Sequence, residues 1–228
     1  MFSIVRKIVL LYLHVVMQTF MPVEADFNTI NRYITDNNIK LLIIDFNGVL
    51  DDYYERKADF LRDVLGSENK HHLPELLLAI ERAYLLDRTA TIEQTCEQFF
   101  ASMDTPLTEL QRNRLANNMF ASQLTDRSRV FLDSLEVPFV IYTALSDEQV
   151  RRVEGLEKYQ LFTRDQYQEA KPSIANLKFI MRHCSVDPAE VCVVGDGLID
   201  DLMPASLIGA HTILVSPYVN LLACSNVT

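Results

Sequence analysis

The chain has 228 residues, 49% hydrophobic and 23% charged, a balance that excludes disorder, collagen and coiled coil. Its 21 Lys and Arg against 31 Asp and Glu give a formal charge of −10, and no basic run is concentrated enough to hold a phosphate backbone, so nucleic acid is not an expected partner. The length suits one core with a substantial insertion, since a chain of this size buries roughly 70% of the surface its unfolded form exposes.

Residues 1–25 stand apart. Arg6 and Lys7 precede the apolar run IVLLYLHVVMQTF, and MPVEA follows, with Val23 and Ala25 at the small positions that export cleavage prefers. This reads as a signal peptide or a membrane anchor. The run is short for a bilayer span and carries His14 and Gln18. A hydrophobic helix packed on the domain, or lying on a membrane, is the competing reading. Export or membrane association, with membrane contact through residues 1–20, is therefore the expectation, and a cytoplasmic location the alternative. The four cysteines (Cys96, Cys184, Cys192, Cys224) include no C-x-x-C pair. Neither a disulfide framework nor a zinc site is expected, and the cysteines leave the compartment open.

From Ala25 to Asn38 the spacing of Phe27, Ile30 and Ile34 predicts a short helix, and KLLIID (40–45) predicts a buried strand ending in a carboxylate. Residues 51 to about 124 then read as helical throughout. Phe60, Leu61, Val64 and Leu65 share a face, Pro74 opens ELLLAIERAYLL, Thr91 and Gln94 resemble a capping box, and Pro106 opens LTELQRNRLANNMF. Strand patterns return at VPFVIY (137–142), VCVV (191–194) and TILV (212–215), separated by helical stretches at 148–153 and 174–183. Alternation of this kind predicts an α/β fold: a Rossmann-like parallel sheet covered on both faces, built from residues 26–50 and 125–228, with an all-α domain inserted at 51–124. There is no internal repeat and no low-complexity tract.

In open parallel sheets ligands collect at the carboxyl ends of the strands. Three predicted strands deliver polar residues there: Asp45, Asn47 and Gly48; Thr143; and Gly195, Asp196 and Gly197, followed by Asp200 and Asp201. Lys171 and Pro172 precede the Asp196 strand by one helix. Two carboxylates in a partly buried cleft do not both ionise without a cation between them. A hard ion, Mg²⁺ above all, resolves the conflict. Asp45 would keep an oxygen free to attack phosphorus while the metal and Lys171 offset the developing charge, which is covalent phosphoryl transfer. Taken singly, these residues read as helix caps or solvated charges. Their order and context carry the reading.

Those segments resemble the motifs of the haloacid dehalogenase (HAD) superfamily of aspartate-nucleophile hydrolases, over about residues 41–215. LLIIDFNGVL is similar to the family's first motif. The resemblance makes Asp45 the nucleophile, with Asn47 offering a backbone carbonyl to the metal. VIYTAL resembles the second motif and assigns Thr143 and the amide of Ala144 to the substrate phosphate. The Lys-Pro pair of EAKPSIANLKFI resembles the third, placing Lys171 against nucleophile and phosphate. GDGLIDD resembles the fourth, with Asp196 as metal ligand and Asp201, alongside Asp200, ordering the metal's water shell. The inserted helices correspond to a C1-type cap that closes over the site and selects the substrate. A receiver domain also orders Asp, Thr and Lys along a parallel sheet, but it has neither such an insertion nor a use for GDGLIDD.

One position departs from the family pattern. Its phosphatases carry Asp two residues after the nucleophile, where it protonates the leaving oxygen and later activates water, and this chain has Asn47. An amide exchanges no proton near neutral pH. A positioned acid or base is worth about 10² to 10⁴ in rate, so the expected function is a slow Mg²⁺-dependent hydrolase acting on a small phosphorylated metabolite through an aspartyl-phosphate. Acyl or otherwise activated phosphates, whose leaving groups need no proton, would suit it best. The alternative is a weak or inactive pseudoenzyme that binds a phosphorylated ligand. Dehalogenase chemistry also lacks that acid, but would leave Asp196 and Asp201 without a metal to hold. Partial deamidation at Asn47-Gly48 is a further route to an acid. Oligomeric state is open.

In the insertion, Tyr53, Tyr54, Arg56, Lys57, Arg82 and Arg88 are weaker candidates for substrate contact, because such residues on amphipathic helices are usually packed or solvated. His71 and His72, lacking partners at ligand spacing, read as a turn. Phe99, Phe100 and Met103, and Met119 and Phe120, have the spacing of a helical core and imply no cofactor. Hinges are expected near residues 50–52 and 122–127, where the chain crosses between domains.

Overall fold

The computed structural model describes residues 23–86, 92–103, 106–116, 122–167 and 169–215. They fall into two compact units that divide between Asp52 and Tyr53 and again at Ser122. In chain order the strands are β1 (Val23–Glu24), β2 (Leu41–Ile44), β3 (Phe139–Tyr142), β4 (Leu161–Phe162), β5 (Val191–Gly195) and β6 (His211–Leu214). The helices are α1 (Phe27–Asp36), α2 (Tyr53–Asn69), α3 (Leu73–Leu86), α4 (Ile92–Ser102), α5 (Glu109–Ala116), α6 (Asp126–Asp133), α7 (Asp147–Val150), α8 (Ile174–His183) and α9 (Met203–Leu207).

All six strands of the first unit are parallel, in the order β1-β6-β5-β2-β3-β4. Strand pleating sends successive side chains to opposite faces, and this sheet is apolar on both. Leu42, Ile44, Cys192, Val194, Ile141 and Ile213 pack on one face with Ile30 and Ile34 of α1 and with Phe131 and Leu132 of α6. Leu41, Ile43, Val140, Val191 and Val193 pack on the other with Leu177, Ile180 and Met181 of α8 and with Ala205 of α9. The predicted Rossmann-like sheet is therefore present, with helices on both sides. α1 starts where Asp26 accepts hydrogen bonds from the amides of Asn28 and Thr29, both at 3.0 Å.

Two strands were not visible as patterns. β4 is two residues long and β1 pairs Val23 and Glu24 with Ile213 and Leu214, so runs this short show no period. Val23 and Glu24, placed by the sequence reading within the N-terminal segment, thus lie on the edge of the sheet. Residues 1–22, the apolar run included, lie outside the described residues. Among those described, no helix is long and apolar enough to cross a membrane.

The second unit holds α2 to α5 and, among its described residues, no strand. Leu61, Val64, Leu65, Leu76, Ile80, Cys96, Phe100, Leu107 and Leu115 form its core. α2 is broken at Gly66 (φ 73°), a conformation that suits a residue without Cβ. α5 begins three residues after Pro106. The Thr108 backbone amide donates to Gln111 Oε1 (2.8 Å) and the Gln111 amide to Thr108 Oγ1 (3.3 Å), a reciprocal cap that fixes the start there. Thr91, Arg88, Met119 and Phe120 lie outside the described residues. His71 and His72 form a short 3₁₀ turn with rings 4.0 Å apart, as expected for a turn.

Leu42 is fully buried at the centre of the sheet. Leu42→Ala removes a side chain from a site bounded by two neighbouring strands, so urea unfolding should show a loss of about 2–5 kcal/mol.

Candidate active site

β2 is the pivot of the sheet. The chain leaves it for β3 and β4 on one side and returns to β5 and β6 on the other, which opens a crevice at the carboxyl end of β2. Asp45 follows Ile44 directly, and its amide donates to Val194 O at 2.8 Å, so the carboxylate is carried by sheet pairing rather than by a loop. The β2–β3 register, Ile44 opposite Ile141, sets Tyr142 beside Asp45. The β2–β5 register, Ile44 opposite Val194, sets Gly195 on its other flank.

Asp201 reaches the same place by a different route. Leu198–Leu202 winds as a π-helical turn, with the amides of Asp201 and Leu202 both donating to Gly197 O (3.0 and 3.2 Å). This folds the Asp201 side chain back over the end of β5. A Cβ at Gly195 would come within 2.6 Å of Asp201 Cβ, and one at Gly197 within 2.8 Å of Oδ2. Both glycines are thus steric conditions for the acid, and the Gly197 amide donates to Asp201 Oδ2 at 3.1 Å.

Lys171 ties the parts together. Its ammonium donates to Asp45 Oδ1 (2.6 Å), Asp201 Oδ1 (2.8 Å) and Tyr142 O (2.9 Å), which uses all three of its hydrogens. The Tyr142 ring centroid lies 4.4 Å from Nζ, a cation–π contact that adds to these bonds. The tyrosine hydroxyl accepts from Asn176 Nδ2 (2.9 Å), which also donates to Glu169 O (2.9 Å) and so pins the loop carrying Lys171. Tyr142 and Asn176 were missed by the sequence reading. Apolar strand and amphipathic helix account for them fully as pattern, and only the fold reveals the polar edge of each.

Asp45, Asp196 and Asp201 each place a carboxylate oxygen within 4.8 Å of the others. Asp200 stands outside this trio. Three acids therefore face one ammonium in a largely buried place. Burial is the main force pushing Asp45 up to about 6, opposed by Lys171 and reinforced by Asp196. Burial likewise pushes Asp201 up to about 7, against Lys171 and with help from Asp45 and Asp200. Burial also works against the Lys171 ammonium, but the two carboxylates more than offset it and hold the lysine protonated well above its ordinary range. The negative charge left over, with oxygen donors alone, suits a hard divalent cation.

Thr143 is buried, its amide bonded to Phe162 O (3.0 Å) and its Oγ1 accepting from the Leu145 amide (3.1 Å). The hydroxyl hydrogen remains available to an anion. Ala144 is exposed just beyond it. Asn47 lies in the tight turn after Asp45, where its Nδ2 donates to Asp51 Oδ2 (2.9 Å) and Ser122 Oγ (3.1 Å). Gly48, at φ 79°, donates its amide to Asp51 Oδ1 (2.7 Å). Deamidation needs that same amide nitrogen to attack the Asn47 side chain, so this geometry opposes it. Asp51 and Ser122 belong to the two crossing segments expected to act as hinges, and Thr125 N also bonds Leu50 O there (3.3 Å). In the helical unit, Lys57 is buried, with its Nζ 5.7 Å and 5.8 Å from the Tyr53 and Tyr54 ring centroids, so these three pack on one another.

The doubly wound parallel sheet thus carries an aspartate, a lysine and a further acidic pair at its strand ends. Residues 169–217 match the HAD-hydrolase-like family model. Solved structures agree in fold. A HAD-superfamily hydrolase of subfamily IA, variant 1, from Geobacter sulfurreducens PCA is 18% identical, with a TM-score of 0.53 over 81% of this chain and 97% of that one. A haloacid dehalogenase-like family hydrolase from Xanthomonas campestris is 13% identical, with a TM-score of 0.51 over 79% and 83%. A dehalogenase solved with an intermediate complex is 17% identical, with a TM-score of 0.55 over 78% and 84%. No curated protein sequence matches the chain significantly. The fold is therefore that of HAD-superfamily hydrolases, and the sequence match to the family model lies in residues 169–217.

The raised carboxylates have a consequence for stability. A group whose folded pKa lies above its unfolded value keeps a proton that the unfolded chain gives up, so the stability it contributes is lost as pH rises through the folded pKa. In chelator, urea unfolding should show this loss as pH rises from about 4 to about 7. Asp45→Asn, which keeps the Lys171 contact and removes one charge, should flatten that fall. An equally steep fall in the variant would show that Asp45 is not one of the groups holding a proton in the folded state.

Proposed function

We propose that the chain is a Mg²⁺-dependent hydrolase that cleaves small phosphorylated metabolites, preferring those whose leaving group departs without a proton. The observation that carries this reading is the meeting of Asp45, Asp196 and Asp201 around Lys171 at the strand ends, where three acids face one ammonium.

Asp45, Asp196, Asp201 and the backbone carbonyl of Asn47 would hold the ion, which supplies charge neutralisation for the incoming phosphate. Lys171 orients the nucleophile by holding Asp45 Oδ1, which leaves Oδ2 to form the bond to phosphorus as the bond to the leaving oxygen breaks. The Thr143 hydroxyl and the Ala144 amide are the donors for the transferring phosphoryl oxygens. Water then attacks the aspartyl-phosphate, releasing phosphate and restoring Asp45, and the water's proton passes to solvent or to the departing phosphate.

Asn47 decides the substrate class. Its amide nitrogen gives both hydrogens to Asp51 and Ser122, and an amide exchanges no proton near neutral pH. An alkoxide leaving group would therefore depart unaided, whereas the carboxylate of an acyl phosphate needs no help. The same observation supports the second reading, a binder of phosphorylated ligands with no turnover. Dehalogenation also needs no acid at this position and is the chemistry named for one of the structural relatives. The three-acid cluster favours phosphoryl transfer over it, because halide displacement has no use for a cation site.

Phosphate release from an acyl phosphate should depend on Mg²⁺, stop with chelator, and exceed release from an alkyl phosphate by about 10² or more, the value of a missing general acid. Asp45→Asn should reduce it to background. Equal rates in wild type and Asp45→Asn would remove the hydrolase reading. Tight Mg²⁺-dependent retention of the phosphate ligand without product would then favour the binder.

A further inference from the structure

Asp51 is only 7% exposed, yet it lies in a turn rather than in the core, with its carboxylate folded back over the loop that follows the nucleophile. The turn is wound tightly around one carbonyl: the amides of Val49, Leu50 and Asp51 approach Phe46 O at 3.3, 2.8 and 3.2 Å. Asp51 Oδ1 takes the Gly48 amide at 2.7 Å and Oδ2 takes Asn47 Nδ2 at 2.9 Å. An ionised carboxylate only accepts hydrogen bonds, so the atom of residue 47 that faces it must be a donor. An amide nitrogen meets that condition. The second hydrogen of the same nitrogen goes to Ser122 Oγ at 3.1 Å, which leaves Asn47 Oδ1, an acceptor with no proton to give, as the atom offered elsewhere.

We propose that Asp51 is the positioning residue that dictates an amide at position 47, so that residues 47 and 51 set the proton-transfer capacity of the site as a unit. A carboxylate at 47 beside Asp51 would set two acceptors against each other with no hydrogen between them. Exchanging both residues reverses the polarity of the bond without altering its shape. An asparagine at position 51 would accept from the Gly48 amide through its side-chain oxygen, as Asp51 Oδ1 does, and its side-chain nitrogen would donate to an aspartate at 47. The missing acid is therefore held out of this site by a residue four positions away. The substrate preference proposed above is a property of the pair rather than of Asn47 alone. The structural half of this inference stands on the hydrogen bonds. Its kinetic half rests on the reading of Asp45 as a phosphoryl acceptor.

The test is a four-cornered cycle of wild type, N47D, D51N and N47D/D51N, read by thermal unfolding above neutral pH and by kcat on an alkyl and an acyl phosphate with Mg²⁺. N47D should lower Tm by about 3–8 °C, the effect of losing one buried charge-assisted bond and leaving two acceptors facing, and D51N added to it should restore most of that loss. The double variant should gain about 10²-fold in kcat on the alkyl phosphate over wild type, with a smaller change on the acyl phosphate, and N47D alone should fall about tenfold or more short of it. If N47D is insoluble, recovery of soluble protein on adding D51N reads the same coupling. Additive Tm shifts, or an N47D variant as stable and as fast as the double, overturn the proposal even if the wild type turns over phosphate. Coupled Tm values with no turnover in any corner leave Asp51's control of residue 47 supported and remove the hydrolase reading instead.

Discussion

The structure of the site depends on three acids converging on one buried lysine. Lys171 spends its three hydrogens on Asp45, Asp201 and Tyr142 O, and Asp196 adds a further acid to a place where burial already disfavours carboxylates. Charges brought together in a low-dielectric setting are costly unless each is paired, and here Lys171 pairs with two of the carboxylates at once. The neighbouring features serve to hold that arrangement in place. Gly195 and Gly197 leave room for Asp201, the π-helical turn aims it, and Tyr142 and Asn176 brace the lysine.

The turn after β2 shows a second constraint working against the first motif's usual chemistry. Its hydrogen bonds are satisfied by an amide at 47 and a carboxylate at 51, and the same bonds would be frustrated by carboxylates at both. Asn47 is thus not an isolated loss. It is the partner that a buried Asp51 requires, and Ser122, from the segment where the chain re-enters the sheet unit, completes the set. The loss of a proton donor and the gain of a well-satisfied turn are two descriptions of one arrangement.

The legible part of this protein was the part written in periods and punctuation. KLLIID and VCVV announced buried parallel strands because both faces of the sheet are covered, and α8 runs over residues 174–183, where its apolar spacing and Ser173 cap put it. Asp45, Lys171, Asp196 and Asp201 were recognisable through their order and context, since singly each would pass for a helix cap or a solvated charge, and the structure gathers all four. Less was legible where an element is too short to show a period, as with β1 and β4, or where a cap rather than a proline sets the boundary, as Thr108 does for α5.

The amino-acid order by itself determined the central strands of the sheet, the acids at their carboxyl ends and the absence of a titratable group at residue 47, since each of these follows from composition or local spacing. Only the tertiary structure decided that Lys171 bridges two carboxylates, that the Tyr142 ring packs against its ammonium, and that Asp51 turns back onto Asn47. These depend on which atoms meet across distances of 4 to 126 residues along the chain, and on which hydrogens are already committed when they meet. Hydrogen-bond commitments of that kind are properties of a folded geometry, and no local pattern of residues encodes them.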